Sequence, residues 1–359
     1  FSYKKNITIN AGNSGTLARL ILGLLVKSKY KIKLKGDDSL SKRDFYRVIK
    51  PLKLLGANIE SRNNLLPIKI LGTEFLRPIN YDEKIGIAQV KSCIILSALN
   101  TPGLTIINSK KSRNHTELML KFLKYPIKVI STKKTDKIFV KGQEQFSAFK
   151  YKIPGDISSA SFFIVLTLLS KNSELLIKNI NINPSRTGII TILNRMNAKI
   201  KIINRKKYKG EKIGDLKIKS TKDLKSINCP QSLNSSTIDE FTLIFLIACK
   251  SSGVSTFKNL GELNKKESPR LNLGIKFLKM IGVKVLRKKD NIKIFGNSNL
   301  ILRGNYHVKN FVKDHRIFMT SVIAALTLGG EWKINDSDSI NTSFPEFLKI
   351  LKKLGAKFN

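Results

Sequence analysis

Hydrophobic and polar positions along the chain repeat one theme. Five segments carry apolar residues at helical spacing, then a small or turn residue, then a short β-prone run: VIKPLKLLGANIE from residue 48, LMLKFLKYPIKVI from 118, IITILNRMNAKIK from 189, GIKFLKMIGVKVL from 274 and FPEFLKILKKLGAKF from 344. Their starts lie roughly 70 to 85 residues apart, the spacing of repeated supersecondary units. Gly56, Gly282 and Gly355 fall where a helix would end in a left-handed residue, a conformation that costs least without a Cβ.

Strand-like runs lie between these segments: YKIKLKG (30–36), LTIIN (104–108), KIFVKG (137–142), SELLIKNI (173–180), STFKNL (255–260) and NIKIFG (291–296). A second helix per unit is predicted over 14–26, 88–99, 158–170, 236–251 and 314–328. These helices are almost wholly apolar, which predicts burial on all sides. The fold class is therefore α/β, built from units with two helices each. Five units are visible, the first entered partway. Two lobes are expected to divide near KNININPSRTG (178–188), as 1–180 and 181–359.

Polar residues gather where the apolar helices begin: AGNSGT (11–16), IPGDISSA (153–160), NSSTIDE (234–240) and VKDHR (312–316). Unpaired N–H groups and positive partial charge make helix starts suitable for anions. The plainer reading is N-capping, by Asn13 or Ser14, Asp156 or Ser158, Ser236 and Asp314. Arginine adds a second signal. In a chain rich in Lys, Arg43, Arg113, Arg186, Arg270 and Arg316 all stand beside turn-like segments. A planar guanidinium grips carboxylate and phosphate in a way an ammonium does not. GELNKKESPR (261–270) concentrates Lys265, Lys266, Glu267 and Arg270 ahead of an apolar helix. Asp239, placed just inside the start of its helix, and Glu267 make a candidate acid–base pair, with complementing the helix dipole the plainer role for Asp239.

Composition changes this picture only at its edges. The chain has 359 residues, 66 Lys+Arg against 25 Asp+Glu, and a net charge of +41. Such an excess suits polyanions, but it is spread along the whole chain beside much Ile and Asn, which reads as compositional bias. Nucleic acid is not an expected partner. The longest apolar runs fall short of the roughly 20 residues a membrane span needs. Cys93, Cys229 and Cys249 stand singly in or near apolar runs and read as buried core thiols of a reducing compartment. His115, His307 and His315 are too scattered for a metal site.

Eight motifs in order, NAGNSGTLARLI, GDDSLSKRDFYRVIKPLKLLGA, AQVKSCIILSAL, SRNHTELML, IPGDISSASFFI, NPSRTGIITIL, NKKESPRL and KDHRIFM, resemble the bacterial 5-enolpyruvylshikimate-3-phosphate synthases. The resemblance spans about residues 10 to 350. It implies a two-domain, inside-out α/β barrel of repeated βαβαββ units, with the first unit here incomplete. It also implies transfer of enolpyruvyl from phosphoenolpyruvate to the 5-hydroxyl of shikimate 3-phosphate by a cytoplasmic monomer, with no metal or organic cofactor. The phosphoenolpyruvate contacts carry over onto Gly15, Arg43, Gln89, Arg270 and Arg316. Those of shikimate 3-phosphate carry over onto Ala88, Gln89, Ser112, Arg113, Asp239 and Lys266. Asp239 is implied as acceptor of the hydroxyl proton, and Glu267 as the group serving the pyruvyl methylene. Gly15 stands where glyphosate-tolerant relatives carry Ala, which implies sensitivity to that inhibitor.

The departures from the family pattern are specific. Ile87 replaces a common serine, Asp44 a common proline and Pro269 a common aspartate, and NTSFP (341–345) lacks a lysine some relatives have. The family's N-terminal Lys-Ser and Arg motif is expected to precede the first residue given, and the chain without it is expected to be inactive or impaired. Two rivals remain: the sister UDP-N-acetylglucosamine enolpyruvyl transferase, which generally uses a loop cysteine, and a basic nucleic-acid-binding protein of related architecture.

Overall fold

A computed structural model describes residues 7–358. The first repeat runs β1 (Thr8–Asn10), α1 (Gly15–Leu25), β2 (Ile32–Lys35), α2 (Asp38–Ser41), α3 (Tyr46–Leu54), β3 (Asn58–Glu60) and β4 (Ile68–Leu71). The second runs β5 (Asn80–Glu83), α4 (Ala88–Ala98), β6 (Leu104–Lys110), α5 (His115–Phe122), β7 (Ile127–Ser131) and β8 (Thr135–Lys141). Their sheets have the same order, β1-β2-β4-β3 and β5-β6-β8-β7. In each, the first pair is parallel and the remaining pairs antiparallel. The first repeat, expected to be incomplete, thus carries every element of a βαβαββ unit.

Three further repeats follow. The third contains α6 (Ile157–Leu169), β9 (Glu174–Asn181), α7 (Gly188–Arg195), β10 (Lys199–Tyr208) and β11 (Glu211–Lys219). The fourth contains α8 (Asn234–Thr237), α9 (Phe241–Cys249), β12 (Gly253–Phe257), α10 (Arg270–Met280), β13 (Val285–Lys288) and β14 (Asn291–Gly296). In both, an isolated parallel bridge, Gly155 to Ile180 or Asn228 to Thr256, stands in for the short first strand. The fifth has β15 (Asn305–Val308), α11 (His315–Leu328), β16 (Glu331–Ile334) and α12 (Phe347–Lys353), with β15 parallel to β16.

The local chemistry of the repeats is shared. Gly56, Gly282 and Gly355 have φ of +98°, +78° and +95°, as their positions after helices require. Lys124 and Asn197 take the same left-handed turn at 56° and 68° without being glycine. Strands alternate buried and exposed positions where one face is covered, as in β2 and β4. The apolar helices are buried nearly all round: every residue of α9 is buried, and so are most of α4 and α6.

The chain divides into two compact units, one ending at Tyr151 and the other beginning at Lys152. The division lies ahead of the position near 180 expected from the turn NPSRTG. That turn joins β9 to α7 inside the third repeat, and α6 packs on β9, β11, α9 and α11. In the first unit α1 packs against α4, and Gly23 makes the approach possible: a Cβ there would overlap the Cys93 carbonyl. In the second, α6, α9 and α11 pack against one another. Each unit has its own core cluster. No helix among the described residues is long and apolar enough to cross a membrane.

Candidate active site

In the first unit the candidate residues gather at the starts of α1 and α4. Ser14 caps α1, its Oγ accepting from Leu17 N at 3.1 Å. Gly15, the first helical residue, is buried, and a Cβ on it would lie 3.2 Å from Arg43 Nη1 and 2.8 Å from Arg19 Nη1. Arg43 Nη2 reaches Asn13 Oδ1 and Ser39 Oγ, each at 3.5 Å. Asn13 in turn donates to Asp37 at 2.5 Å. Ala88 opens α4, and Gln89 Nε2 donates to Thr16 Oγ1 on α1 at 2.7 Å. Gly15, Arg43 and Gln89, far apart in sequence, therefore surround one helix start.

Ser112 and Arg113 are half-buried in the segment between β6 and α5. The Ser112 hydroxyl is buried and has no hydrogen-bond partner among the described residues. Two contacts fasten this segment's helix to α4: Thr116 Oγ1 donates to Ser92 Oγ at 2.8 Å, and Lys91 Nζ lies 2.7 Å from Glu117 Oε1. Lys91 is completely buried, a position sequence reading overlooked. Its signal was a lysine inside the run QVKSCIILSA, on a helix with few exposed positions. Ile87 occupies the N-cap position of α4 and makes no side-chain cap.

In the second unit, helix starts of the fourth and fifth repeats are joined by ion pairs, and that of the third joins them through hydrogen bonds of Ser158. Asp239 was expected just inside a long helix over 236–251. Instead the helix breaks, and Asp239 and Glu240 lie in the turn between α8 and α9. The Asp239 main-chain carbonyl consequently accepts from Arg316 Nη1 at 2.8 Å. Its carboxylate lies 3.2 Å from Lys266 Nζ and 3.6 Å from Arg270 Nη1. Arg270, 3% exposed, also holds Glu267 at 2.6 Å through Nη2 and Asp314 at 3.0 Å through Nε. Burial opposes its charge, yet Asp314, Glu267 and Asp239 together raise its pKa above the usual guanidinium value.

Asp314 works in two directions. Its Oδ1 caps α11, accepting from Arg316 N at 2.8 Å and Ile317 N at 3.1 Å. Its Oδ2 accepts from Arg270 Nε and Ser268 Oγ. Burial works against the carboxylate, but Arg270 first and the Ser268 hydrogen bond next hold its pKa down at about 2. His315 beside it is pushed down to about 4 by burial, with Arg316 and Arg270 adding to the effect. It is a neutral imidazole at pH 7.

The other expected caps differ from the sequence reading. Asp156 stands at the N-cap position of α6 without a capping hydrogen bond and pairs instead with Arg186 at 2.8 Å. Ser236 lies within α8 and donates to Leu233 O. The cysteines are all buried, and burial lifts Cys93, Cys229 and Cys249 to about 12, 11 and 12. None has the accessible, lowered-pKa setting of a reactive thiol, which removes the basis for the loop-cysteine rival.

The arrangement is fit for phosphorylated acids: cations held rigid by carboxylates, next to a carboxylate able to take a proton. Comparison with known proteins agrees. Residues 1–351 match the family described as EPSP synthase (3-phosphoshikimate 1-carboxyvinyltransferase). A 3-phosphoshikimate 1-carboxyvinyltransferase of Petrotoga mobilis is 40% identical over 350 residues, covering 96% of this chain and 79% of the relative. The structure of EPSP synthase from Acinetobacter baumannii superposes with a TM-score of 0.84 at 34% identity, covering 96% of this chain and 78% of that one. The enolpyruvyl transferase NikO from Streptomyces tendae shares the fold, with a TM-score of 0.69 at 14% identity over 94% of this chain and 76% of its own. Motif order, repeat topology and these likenesses agree, and the chain belongs to the EPSP synthase family.

Proposed function

We propose that the protein transfers the enolpyruvyl group of phosphoenolpyruvate to the 5-hydroxyl of shikimate 3-phosphate, releasing phosphate. In this reading Gly15, Arg43, Gln89, Arg270 and Arg316 serve phosphoenolpyruvate. Shikimate 3-phosphate is taken by Ala88, Gln89, Ser112, Arg113, Asp239 and Lys266. The hydroxyl oxygen adds to C2 of phosphoenolpyruvate while C3 gains a proton. Loss of a C3 proton then expels phosphate and restores the double bond. Asp239 accepts the hydroxyl proton, and Glu267 gives and retakes the C3 proton. The guanidinium groups hold the carboxylate and the leaving phosphate of the tetrahedral adduct.

The observation that carries this reading is the placement of both acids on one guanidinium: Asp239 3.6 Å from Arg270 Nη1 and Glu267 2.6 Å from Nη2. The two proton-handling groups are thereby fixed by the residue that binds the anion. Holding two reactants in register is worth as much as roughly 7–11 kcal/mol of barrier.

The test is phosphate release by the protein with each substrate alone and with both. Release that needs both substrates and drops by about 10²-fold or more in Asp239→Ala is expected. Release unchanged by that substitution removes the role given to Asp239. No release at saturating substrates, from the chain joined to the family's N-terminal Lys-Ser and Arg segment, removes the proposed activity.

A further inference from the structure

Glu240 is a buried carboxyl for which the proposed chemistry has no use. It is 1% exposed, at the N-cap position of α9, a helix whose residues are all buried. A buried carboxylate costs several kcal/mol unless charge and hydrogen bonds compensate it. Its compensation comes from two other repeats. Ser158, in the first turn of α6 and 2% exposed, donates its hydroxyl to Glu240 Oε1. Arg316 Nη1 lies 3.9 Å from the same oxygen. Ser158 Oγ also accepts from Arg316 Nη2 at 3.1 Å.

Arg316 is thus gripped on both η nitrogens, Nη1 by the Asp239 carbonyl at 2.8 Å and Nη2 by Ser158. Each η nitrogen carries two hydrogens, so a grip using one from each leaves one on each for a ligand. The contrast with Arg270 is instructive. That guanidinium touches three carboxylates, whereas Arg316 meets its nearest carboxylate mainly through a serine hydroxyl. A direct two-point pair with Glu240 would occupy the fork and cancel its charge. The serine fixes the plane and leaves the charge available. Burial raises the Glu240 pKa, and the neighbouring Asp239 charge raises it further, against Arg316, Ser158 and Arg186.

We propose that Ser158 and Glu240 form a positioning pair that sets the plane of the Arg316 guanidinium for the anionic end of phosphoenolpyruvate. This rests on the function proposed above, and adds two residues that do not themselves touch substrate. The pair is a relay: Glu240 orients the Ser158 hydroxyl, which then accepts from Arg316.

The experiment uses Ser158→Ala, Glu240→Ala, Glu240→Gln and the Ser158→Ala/Glu240→Ala double variant. Losing one hydrogen bond to a charged group is worth roughly tenfold or more in binding. Ser158→Ala and Glu240→Ala are each expected to raise the KM for phosphoenolpyruvate about tenfold. In Ser158→Ala the dissociation constant of shikimate 3-phosphate, measured without phosphoenolpyruvate, is expected to change less than about twofold, since Ser158 bonds to Glu240 and Arg316 and to none of the residues given to that substrate. Glu240→Gln keeps an acceptor for Ser158 and is expected to recover most of the loss. The double variant is expected to be little worse than either single one, because both break the same relay. Should Glu240→Ala not fold, Ser158→Ala, which removes a single oxygen, still decides the matter. Parallel rises for both substrates in Ser158→Ala, penalties that add in full, or an unchanged KM for phosphoenolpyruvate would each overturn the inference. The unsubstituted protein, preceded by the family's N-terminal Lys-Ser and Arg segment, is the reference, and its inactivity would instead count against the proposed function.

Discussion

Replacing Asp314 by Asn isolates the worth of one buried charge. The carboxylate touches Arg270 Nε at 3.0 Å and two main-chain N–H groups at the start of α11. Its pKa is about 2 against an ordinary 3.8. At about 1.4 kcal/mol per unit, that gap corresponds to about 2.5 kcal/mol of stability carried by the ionised form. A fully broken buried pair costs about 3–5 kcal/mol. Arg270 is not orphaned here, since Glu267 remains at 2.6 Å and Asp239 at 3.6 Å. Asn also retains an oxygen for the helix cap. The expected loss at pH 7 is therefore about 2–3 kcal/mol, with Asp314→Ala about 1 kcal/mol worse for the missing cap. Urea unfolding at fixed slope gives both numbers. The sign with pH follows from the depressed folded pKa. The contribution is complete above the unfolded value near 3.8 and fades as pH falls toward 2, so substituted and unsubstituted proteins converge in acid. An Asn variant within about 0.5 kcal/mol of the parent at pH 7 would refute the assignment of Asp314 as an ionised anchor.

Three other outcomes are expected. His315, held at about 4 against an ordinary 6.5, refuses a proton that the unfolded chain accepts, so stability is complete above about 6.5 and declines as pH falls toward 4; His315→Gln should flatten that stretch of a stability–pH curve, and an unchanged slope would count against a buried neutral imidazole. Lys91→Met or Glu117→Gln alone should cost about 3–5 kcal/mol in urea unfolding, and Lys91→Met with Glu117→Leu should regain most of it; single variants as stable as the parent would show that the pair at 2.7 Å carries no energy. Gly15→Ala places a methyl 2.8 Å from Arg19 Nη1 and 3.2 Å from Arg43 Nη1, atoms at the ends of movable side chains; the KM for phosphoenolpyruvate should rise several-fold with a stability change under about 1 kcal/mol, and an unaltered KM would separate Arg43 from that substrate.

The repeats were legible because local chemistry writes them. A helix that ends at Gly282 before a β-prone run leaves the same trace wherever it occurs, and the apolar helices announce their burial. Lys124 and Asn197, which make the same turn without glycine, were visible only by alignment of the repeats with one another. The division before Lys152 was hidden because the turn NPSRTG looks like a linker, whereas the packing of α6 that decides the matter is long-range. At the site, Arg270, Arg316 and Asp239 could be picked from residue type and position. Glu240 could not: beside Asp239 it reads as one more charge at a helix start, and its partner Ser158 lies 82 residues away. The break that puts Asp239 in a turn was masked by the continuous apolar pattern running into FTLIFLIAC. Lys91 was camouflaged by the abundance of lysine.

Acids are scarce in this chain, yet five of its 25 Asp and Glu residues, Asp156, Asp239, Glu240, Glu267 and Asp314, stand among the arginines and Lys266 of the second unit. A bare cluster of guanidinium groups would strain against itself until an anion arrived. Here the carboxylates act as resident counter-ions, and the mutual repulsion of Lys266, Arg270 and Arg316 is already offset within the folded unit. Folding itself offsets that repulsion, so the acids set the guanidinium groups in place before any anion arrives.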